Sequence, residues 1–317
     1  EAALKLMRMN GQKNKKCKLG IICIDGNWHG RTLGAQMMSG NPSQKEWIGY
    51  HDPNIHHIPF PYPWALNGKP SAEFLEMGLN NLQKTGVDLE NDICGFMLET
   101  FQGWGAVFYP KDFVKAIEEI CIKNNILLTF DEMQSGFART GKKFGYEHYE
   151  VQADLLCCGK GIASGFPLSA VIGTAEIMDL PEVGNMSSTH SANPFVCAAG
   201  MATLEEIDRL NLVNETNRKG LIFHQKLNEL KLKYSENISF VFGQGLLAAL
   251  IFKLPNTNDP ETHLPSIISE KAMQKGLLVV HTGRGSIKLA PPLTISDEAL
   301  VEGINVLDES ISEVLNN

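Results

Sequence analysis

The sequence predicts an α/β protein: a mostly parallel central sheet with helices on both faces, followed by a smaller C-terminal α/β domain. Three observations carry this. Short, unbroken apolar runs recur through the first half of the chain, as in strands buried on both faces. Helical patterns of period 3.6 separate them. After residue 210 the spacing changes to long helices around a few strands.

Each element has its own signal. The opening "EAALKLMRMN" has apolar residues at Ala2, Ala3, Leu4, Met7 and Met9, which suits a helix. Residues 19–24 ("LGIICI") read as a strand ending at Asp25, and 93–98 ("ICGFML") as one ending at Glu99. Residues 112–124 place apolar side chains at 113, 114, 117, 120 and 121, an amphipathic helix with Asp112 as N-cap. Residues 126–130 end at Asp131, 155–158 end at Gly159-Lys160, and 169–173 ("SAVIG") follow closely. Residues 40–69 read as a Pro-rich surface or interface loop; His51, Asp52, His56 and His57 fit no metal-ligand spacing there. Further on, 214–232 read as a charged helix and 237–253 as two strands joined around 243–245. Residues 264–275 read as a helix, 277–280 and 286–289 as strands, and 296–315 as a closing helix. The expected domains are 1–209 and 210–317.

Composition excludes several classes. The net charge of −8 argues against a phosphate-backbone binder. No apolar run reaches the ~18 residues of a membrane helix. The seven cysteines are odd in number, irregularly spaced and mostly within apolar runs, which reads as reduced thiols in a cytosolic protein. No C-x-x-C pair exists, and no metal is expected.

Asp25, Glu99, Asp131 and Lys160 all fall at carboxyl ends of strands, the edge where open α/β sheets bind ligands. Lys160 stands between Gly159 and Gly161 in "DLLCCGKGIASGFP". A P-loop fails, because Asp154 occupies the first glycine position and Gly161 follows the lysine. A dinucleotide fingerprint is only approximate, and Pro167 interrupts the helix it needs. The remaining reading makes Lys160 a covalent partner of an aldehyde cofactor, with Asp131 as the carboxylate facing a pyridinium nitrogen.

The stretch "LLTFDEMQSGFARTGKKFGYEHYEVQADLLCCGKGIASGFPLSAVIG" (127–173) resembles the signature of class III pyridoxal-phosphate aminotransferases, the fold type I family of ω-amino-acid and amine transaminases. Asp131 and Lys160 stand 29 apart, as that family requires. The resemblance extends over essentially the whole chain and implies further roles. In "GNWHGRTLG" (26–34), Trp28 takes the place of the Phe or Tyr that stacks on the cofactor ring, with His29 beside it. Met133 would pack on the opposite face, and Gln134 would bond the ring's phenolic oxygen. "LETFQGWGA" (98–106) places Glu99 at the site. "SSTHSANPFVCAAG" (187–200) places Thr189 where the family reaches a neighbouring subunit's cofactor phosphate, implying a homodimer.

The resemblance implies the chemistry of pyridoxal 5'-phosphate. Lys160 would hold the cofactor as a Schiff base and move the proton. Asp131 would keep the ring nitrogen protonated. An amine or ω-amino acid would pass its amino group to a 2-oxo acid in a ping-pong cycle through aldimine and quinonoid forms. A PLP-dependent aminomutase or a decarboxylating transaminase is the alternative within the fold, and an NAD-dependent oxidoreductase the alternative outside it.

Two positions depart together from the pattern. Members acting on γ-aminobutyrate or ornithine carry a glutamate after the Q-G pair and an arginine before A-P-P; here Trp104 and Lys288 stand there. Lys288 keeps the charge without the bidentate fork. Arg284, four residues earlier, is the candidate carboxylate clamp. Turnover of γ-aminobutyrate and ornithine is therefore expected to be poor. The family's N-terminal part and its S-G-A-E-A phosphate loop would precede "EAALKLMR", so the expectation is of an N-terminally truncated chain, poorly active alone.

Overall fold

The computed structural model describes residues 1–13 and 17–316. In chain order it comprises α1 (Ala2–Gly11), β1 (Gly20–Ile24), α2 (Leu33–Met38), β2 (Ile55–Ile58), α3 (Pro63–Leu66), α4 (Ser71–Lys84), β3 (Ile93–Glu99), β4 (Phe101–Gln102), β5 (Val107–Phe108), α5 (Lys111–Asn124), β6 (Leu127–Asp131), β7 (Leu155–Cys158), β8 (Ala170–Gly173), α6 (Ala175–Met178), α7 (Pro194–Arg209), α8 (Leu212–Lys233), β9 (Ile238–Gln244), β10 (Leu247–Phe252), α9 (Leu264–Gln274), β11 (Val280–Thr282), β12 (Ser286–Leu289) and α10 (Asp297–Asn316). The chain forms two compact units. The first holds Glu1–Gln102, Tyr109–Gly136 and Tyr146–Leu204; the second holds Gly103–Phe108, Phe137–Gly145 and Glu205–Asn317.

The first unit is built on a six-stranded sheet in the order β2-β1-β3-β6-β7-β8. All pairs are parallel except β7 with β8. Every residue of β1, β3, β6 and β7 is buried, which explains why their sequences show no polar alternation. Helix α1 buries Ala3, Leu4, Leu6 and Met7, in one core with Ile21, Cys23 and Met97. It approaches closely because Gly95 has no side chain: a Cβ there would stand 2.2 Å from Met7 Sδ. Helix α5 buries Phe113, Val114, Ile117 and Cys121, the stripe read from the sequence. Each such large apolar side chain contributes roughly 1.5–3 kcal/mol on burial.

The second unit has a four-stranded antiparallel sheet, β11-β12-β10-β9. All six residues of β10 are buried. Phe223 and Leu227 of α8, Ile268 of α9, and Leu300, Ile304 and Leu307 of α10 close one core with Ala248, Leu250 and Phe252.

Three local expectations are corrected. Asp112 is not the N-cap of α5: Pro110 holds that position and Asp112 lies in the first turn, where its charge still favours the helix N-terminus. Residues 40–69 are not all loop, since β2 pairs in parallel with β1 at the sheet edge. Its "IHHI" pattern, flanked by prolines, hides a half-exposed edge strand. The strand expected at 277–280 begins only at Val280. Helices α4 and α7 carried no clear sequence expectation. Among the described residues no helix is long and apolar enough to cross a membrane. Nor does any group of three or more His, Cys, Asp or Glu side chains among them stand ready to hold a metal ion.

Candidate active site

In the first unit, the carboxyl edge of the sheet brings together most of the side chains singled out in the sequence. Glu99 and Asp131 are the last residues of β3 and β6 and are direct register partners. Both are buried, at 4% and 7% exposure. Glu99 Oε2 accepts from the backbone N–H of Trp28 at 2.9 Å, and its Oε1 accepts from Gln134 Nε2 at 3.2 Å. Asp131 Oδ1 accepts from the backbone N–H of Met133 at 3.0 Å, and its Oδ2 lies 3.0 Å from His29 Nδ1. Trp28, His29, Glu99, Asp131, Met133 and Gln134 are thus tied by two carboxylates at neighbouring strand ends. Trp28 is half-buried, with the Arg31 guanidinium 4.7 Å from its ring centroid.

The loop after β1 is fixed from below. The His29 backbone N–H donates to Ser39 Oγ at 2.9 Å, and Ser39 donates onward to Ala35 O, also at 2.9 Å. Gln102 Nε2 donates to Asp25 O at 2.8 Å and to Asn27 Oδ1 at 2.6 Å. Asp25, which marked the end of β1, is itself exposed, and partial burial of its carboxyl raises its pKa.

Lys160 lies on the same edge, two residues past β7, whose Cys157 is the register partner of Asp131. Its side chain is exposed, and its own backbone is left-handed at φ 45°. A left-handed lysine is uncommon and carries backbone strain. Gly159 permits a close approach: a Cβ there would meet Met133 Sδ at 2.3 Å. Thr189 is exposed in the turn segment before α7, outside the carboxylate network.

Trp104, Arg284 and Lys288 stand in the second unit. The Arg284 guanidinium lies 5.8 Å from the Trp104 ring centroid. Lys288 Nζ donates to Gly103 O at 2.9 Å, and Ser286 Oγ donates to Trp104 O at 2.7 Å.

Sequence reasoning missed the buried layer beneath the first-unit edge. Glu132 is fully buried; it accepts from Thr100 Oγ1 and Ser135 Oγ, each at 2.6 Å, and from the Tyr146 backbone N–H at 2.7 Å. Tyr149 Oη donates to Thr100 O at 2.5 Å, and burial raises its pKa. The only signal was Ser135 three residues after an acid, which is common in turns.

The family model of the class-III aminotransferases matches residues 1–311. The chain belongs to the class-III aminotransferase family. Among curated relatives of this class-III chain, a 4-aminobutyrate aminotransferase of Mycobacterium leprae is 32% identical over 93% of this chain and 68% of its own length. An acetylornithine aminotransferase of Caldanaerobacter subterraneus is 30% identical over 99% of this chain and 73% of its own. Among solved structures, an amine transaminase from an uncultivated Pseudomonas species, in a PLP-bound form, superposes with a TM-score of 0.87 at 25% identity, covering 98% of this chain and 74% of that one. The class-III chain is therefore an enzyme of nitrogen-group transfer with the fold type I architecture, in a family that works through pyridoxal 5'-phosphate.

Proposed function

We propose that the carboxyl edge of the first unit holds pyridoxal 5'-phosphate and that the protein transfers an amino group from an amine or ω-amino acid to a 2-oxo acid. The observation that carries this is Asp131: a buried carboxylate with both oxygens engaged at the end of a central strand. It fits a protonated ring nitrogen, which needs a fixed anionic acceptor out of bulk water. The rest of the edge fits the same group. Trp28 and Met133 offer an aromatic face and a thioether, Gln134 offers an amide, and Lys160 has an exposed amine.

When bound, the cofactor supplies an aldehyde for the amine and an electron sink for the carbanion. Lys160 is the covalent partner and the group that removes and returns the substrate proton. Asp131 keeps the ring nitrogen charged. Glu99 holds Gln134 and the Trp28 backbone in place. In the second unit, Arg284 is the candidate carboxylate-binding side chain, with its guanidinium 5.8 Å from the Trp104 ring centroid.

We place the protein in the cytoplasm, as a homodimer in which Thr189 serves the neighbouring subunit's site. Support for the dimer comes from exposed apolar side chains: Phe166 and Phe195 are exposed yet meet edge to face at 5.4 Å, and Val183, Met186 and Met201 are also exposed. Apolar surface of this kind marks an interface.

The test is a donor screen on the protein reconstituted with the cofactor, using pyruvate and 2-oxoglutarate as acceptors. Amino transfer that depends on an oxo acid supports the reading. Lys160→Ala is expected to abolish both turnover and the visible absorbance of the reconstituted protein. A Lys160→Ala protein with normal turnover would refute the assignment.

A further inference from the structure

Three residues of the candidate site are each followed in the chain by a residue that bonds into the layer beneath. Thr100 follows Glu99, Glu132 follows Asp131, and Ser135 follows Gln134. Glu132 is fully buried, and Thr100 and Ser135 are 1% exposed. The three bond to one another. Thr100 Oγ1 donates to Glu132 Oε1 and Ser135 Oγ donates to Glu132 Oε2, both at 2.6 Å, at the short end of the range for hydroxyl donors. The Tyr146 backbone N–H donates to Oε1 at 2.7 Å. The Thr100 carbonyl is held too: it accepts from Tyr149 Oη, which itself accepts from the Tyr109 N–H at 3.2 Å.

The Ser135 bond alone would be an ordinary turn contact, three residues from its acceptor. The Thr100 bond is not local, because it spans 32 residues and joins the ends of two strands. The backbone pairing of β3 with β6 stops at Glu99 and Asp131. One residue further on, the Thr100 hydroxyl and the Glu132 carboxyl continue the alignment with side chains. Peptide units are stiff, so a shift of Thr100 against Glu132 is passed to Glu99 against Asp131. In the same way a shift of Ser135 is passed to Gln134, which donates to Glu99 at 3.2 Å.

We propose that Thr100 is a positioning residue that acts through Glu132: its hydroxyl sets the spacing of Glu99 and Asp131, and Ser135 on the same carboxyl group sets the approach of Gln134. A site works only when its groups are held to within about half an ångström, and this layer supplies that hold from the face opposite the ligand. The functional consequence rests on the reading of the sheet edge as the cofactor site; the alignment of the two strand ends does not.

The test compares Thr100→Val, which keeps the shape without the hydroxyl, with Thr100→Ser, which keeps the hydroxyl without the methyl group. Hydrogen exchange is read first, on the full chain without cofactor. In Thr100→Val the amides of Trp28 and Met133, which bond to Glu99 and Asp131, are expected to exchange on the order of tenfold faster, while those of α5 stay as they are. Thr100→Ser is expected to keep wild-type protection. A packing role alone predicts the reverse order, with valine the better replacement, and that result overturns the proposal. Unchanged exchange at Trp28 and Met133 in Thr100→Val also overturns it. Ser135→Ala, which removes the other hydroxyl, is the second probe and is expected to loosen Met133 more than Trp28; wild-type exchange at Met133 there counts against the proposal. In the cofactor-loaded protein, Thr100→Val is expected to lower kcat several-fold with donor KM within about twofold, and Thr100→Ser to recover most of it. A valine variant with wild-type kcat overturns the positioning role. Failure of the wild-type protein to transfer amino groups counts against the functional reading and leaves the exchange result as it is.

Discussion

Glu99 and Asp131 face each other across the last rung of two parallel strands, and each carboxylate grips a backbone N–H of a neighbouring loop. Glu99 takes that of Trp28 and Asp131 that of Met133. Two acids in direct register repel, and the hydrogen bonds to each offset that repulsion. The edge is therefore a fixed frame on which two loops hang.

That frame makes Gly159 a sensitive position. In Gly159→Ala the new methyl group would meet the Met133 thioether at 2.3 Å, and the flexible end of Met133 would swing away. Stability should change little, because a side-chain terminus yields. Cofactor affinity should fall several-fold, measured by equilibrium titration. An unchanged affinity would remove Met133 from the cofactor's surroundings.

Two cations of the second unit are engaged differently. Lys288 already donates to Gly103 O, whereas the Arg284 guanidinium rests over the Trp104 ring. A cation–π contact of this kind contributes roughly 0.5–2 kcal/mol. Arg284→Ala should raise the oxo-acid KM tenfold or more, since a charge-assisted bidentate pair is lost; Lys288→Ala should change it less. γ-Aminobutyrate and ornithine should be poor donors, although the Mycobacterium leprae relative is named for the former. Steady-state kinetics on both variants and both donors checks this.

Stability of the second unit should depend on its buried β10. Phe252 is fully buried in the core formed with α8, α9 and α10. Phe252→Ala should cost about 3–5 kcal/mol, and Phe252→Leu much less, as read by denaturant unfolding.

An acid-sensitive contribution comes from His57. Burial, reinforced by the nearby Lys45 charge, pushes its imidazole down to about 4. The unfolded chain therefore binds this proton first. The His57 contribution is complete above about pH 6.5 and is lost as the pH falls from there towards 4, by roughly 3 kcal/mol. His57→Gln keeps a donor for Met38 O and Ser39 O, which His57 Nε2 contacts at 3.1 and 3.2 Å, and should flatten this part of the stability–pH curve.

The sequence disclosed what repeats along the chain. Unbroken apolar runs located β1, β3, β6 and β7, and the charged residues at their carboxyl ends located the edge. It was silent where a role depends on contacts between distant residues. Ser39 and Glu132 support the site through partners that no local pattern marks. The place of Lys160 at the sheet edge was legible, but its left-handed backbone was not, because no local pattern marks a lysine for that conformation. Edge strand β2 was hidden by its prolines and half-polar alternation.

The division of the chain has a consequence for anyone wishing to exchange substrate preference between relatives. The second unit is not one continuous piece: it borrows Gly103–Phe108 and Phe137–Gly145 from within the sequence of the first. A chimera that grafts only 205–317 would import Arg284 and Lys288 while leaving the host's own residues at 103 and 104. The imported lysine would keep a backbone carbonyl to bond, but the imported arginine would find its ring only where the host also has an aromatic there. Recombination would have to move three segments together to keep Trp104, Arg284 and Lys288 as one set, which makes the second unit a patchwork in sequence and not a cassette.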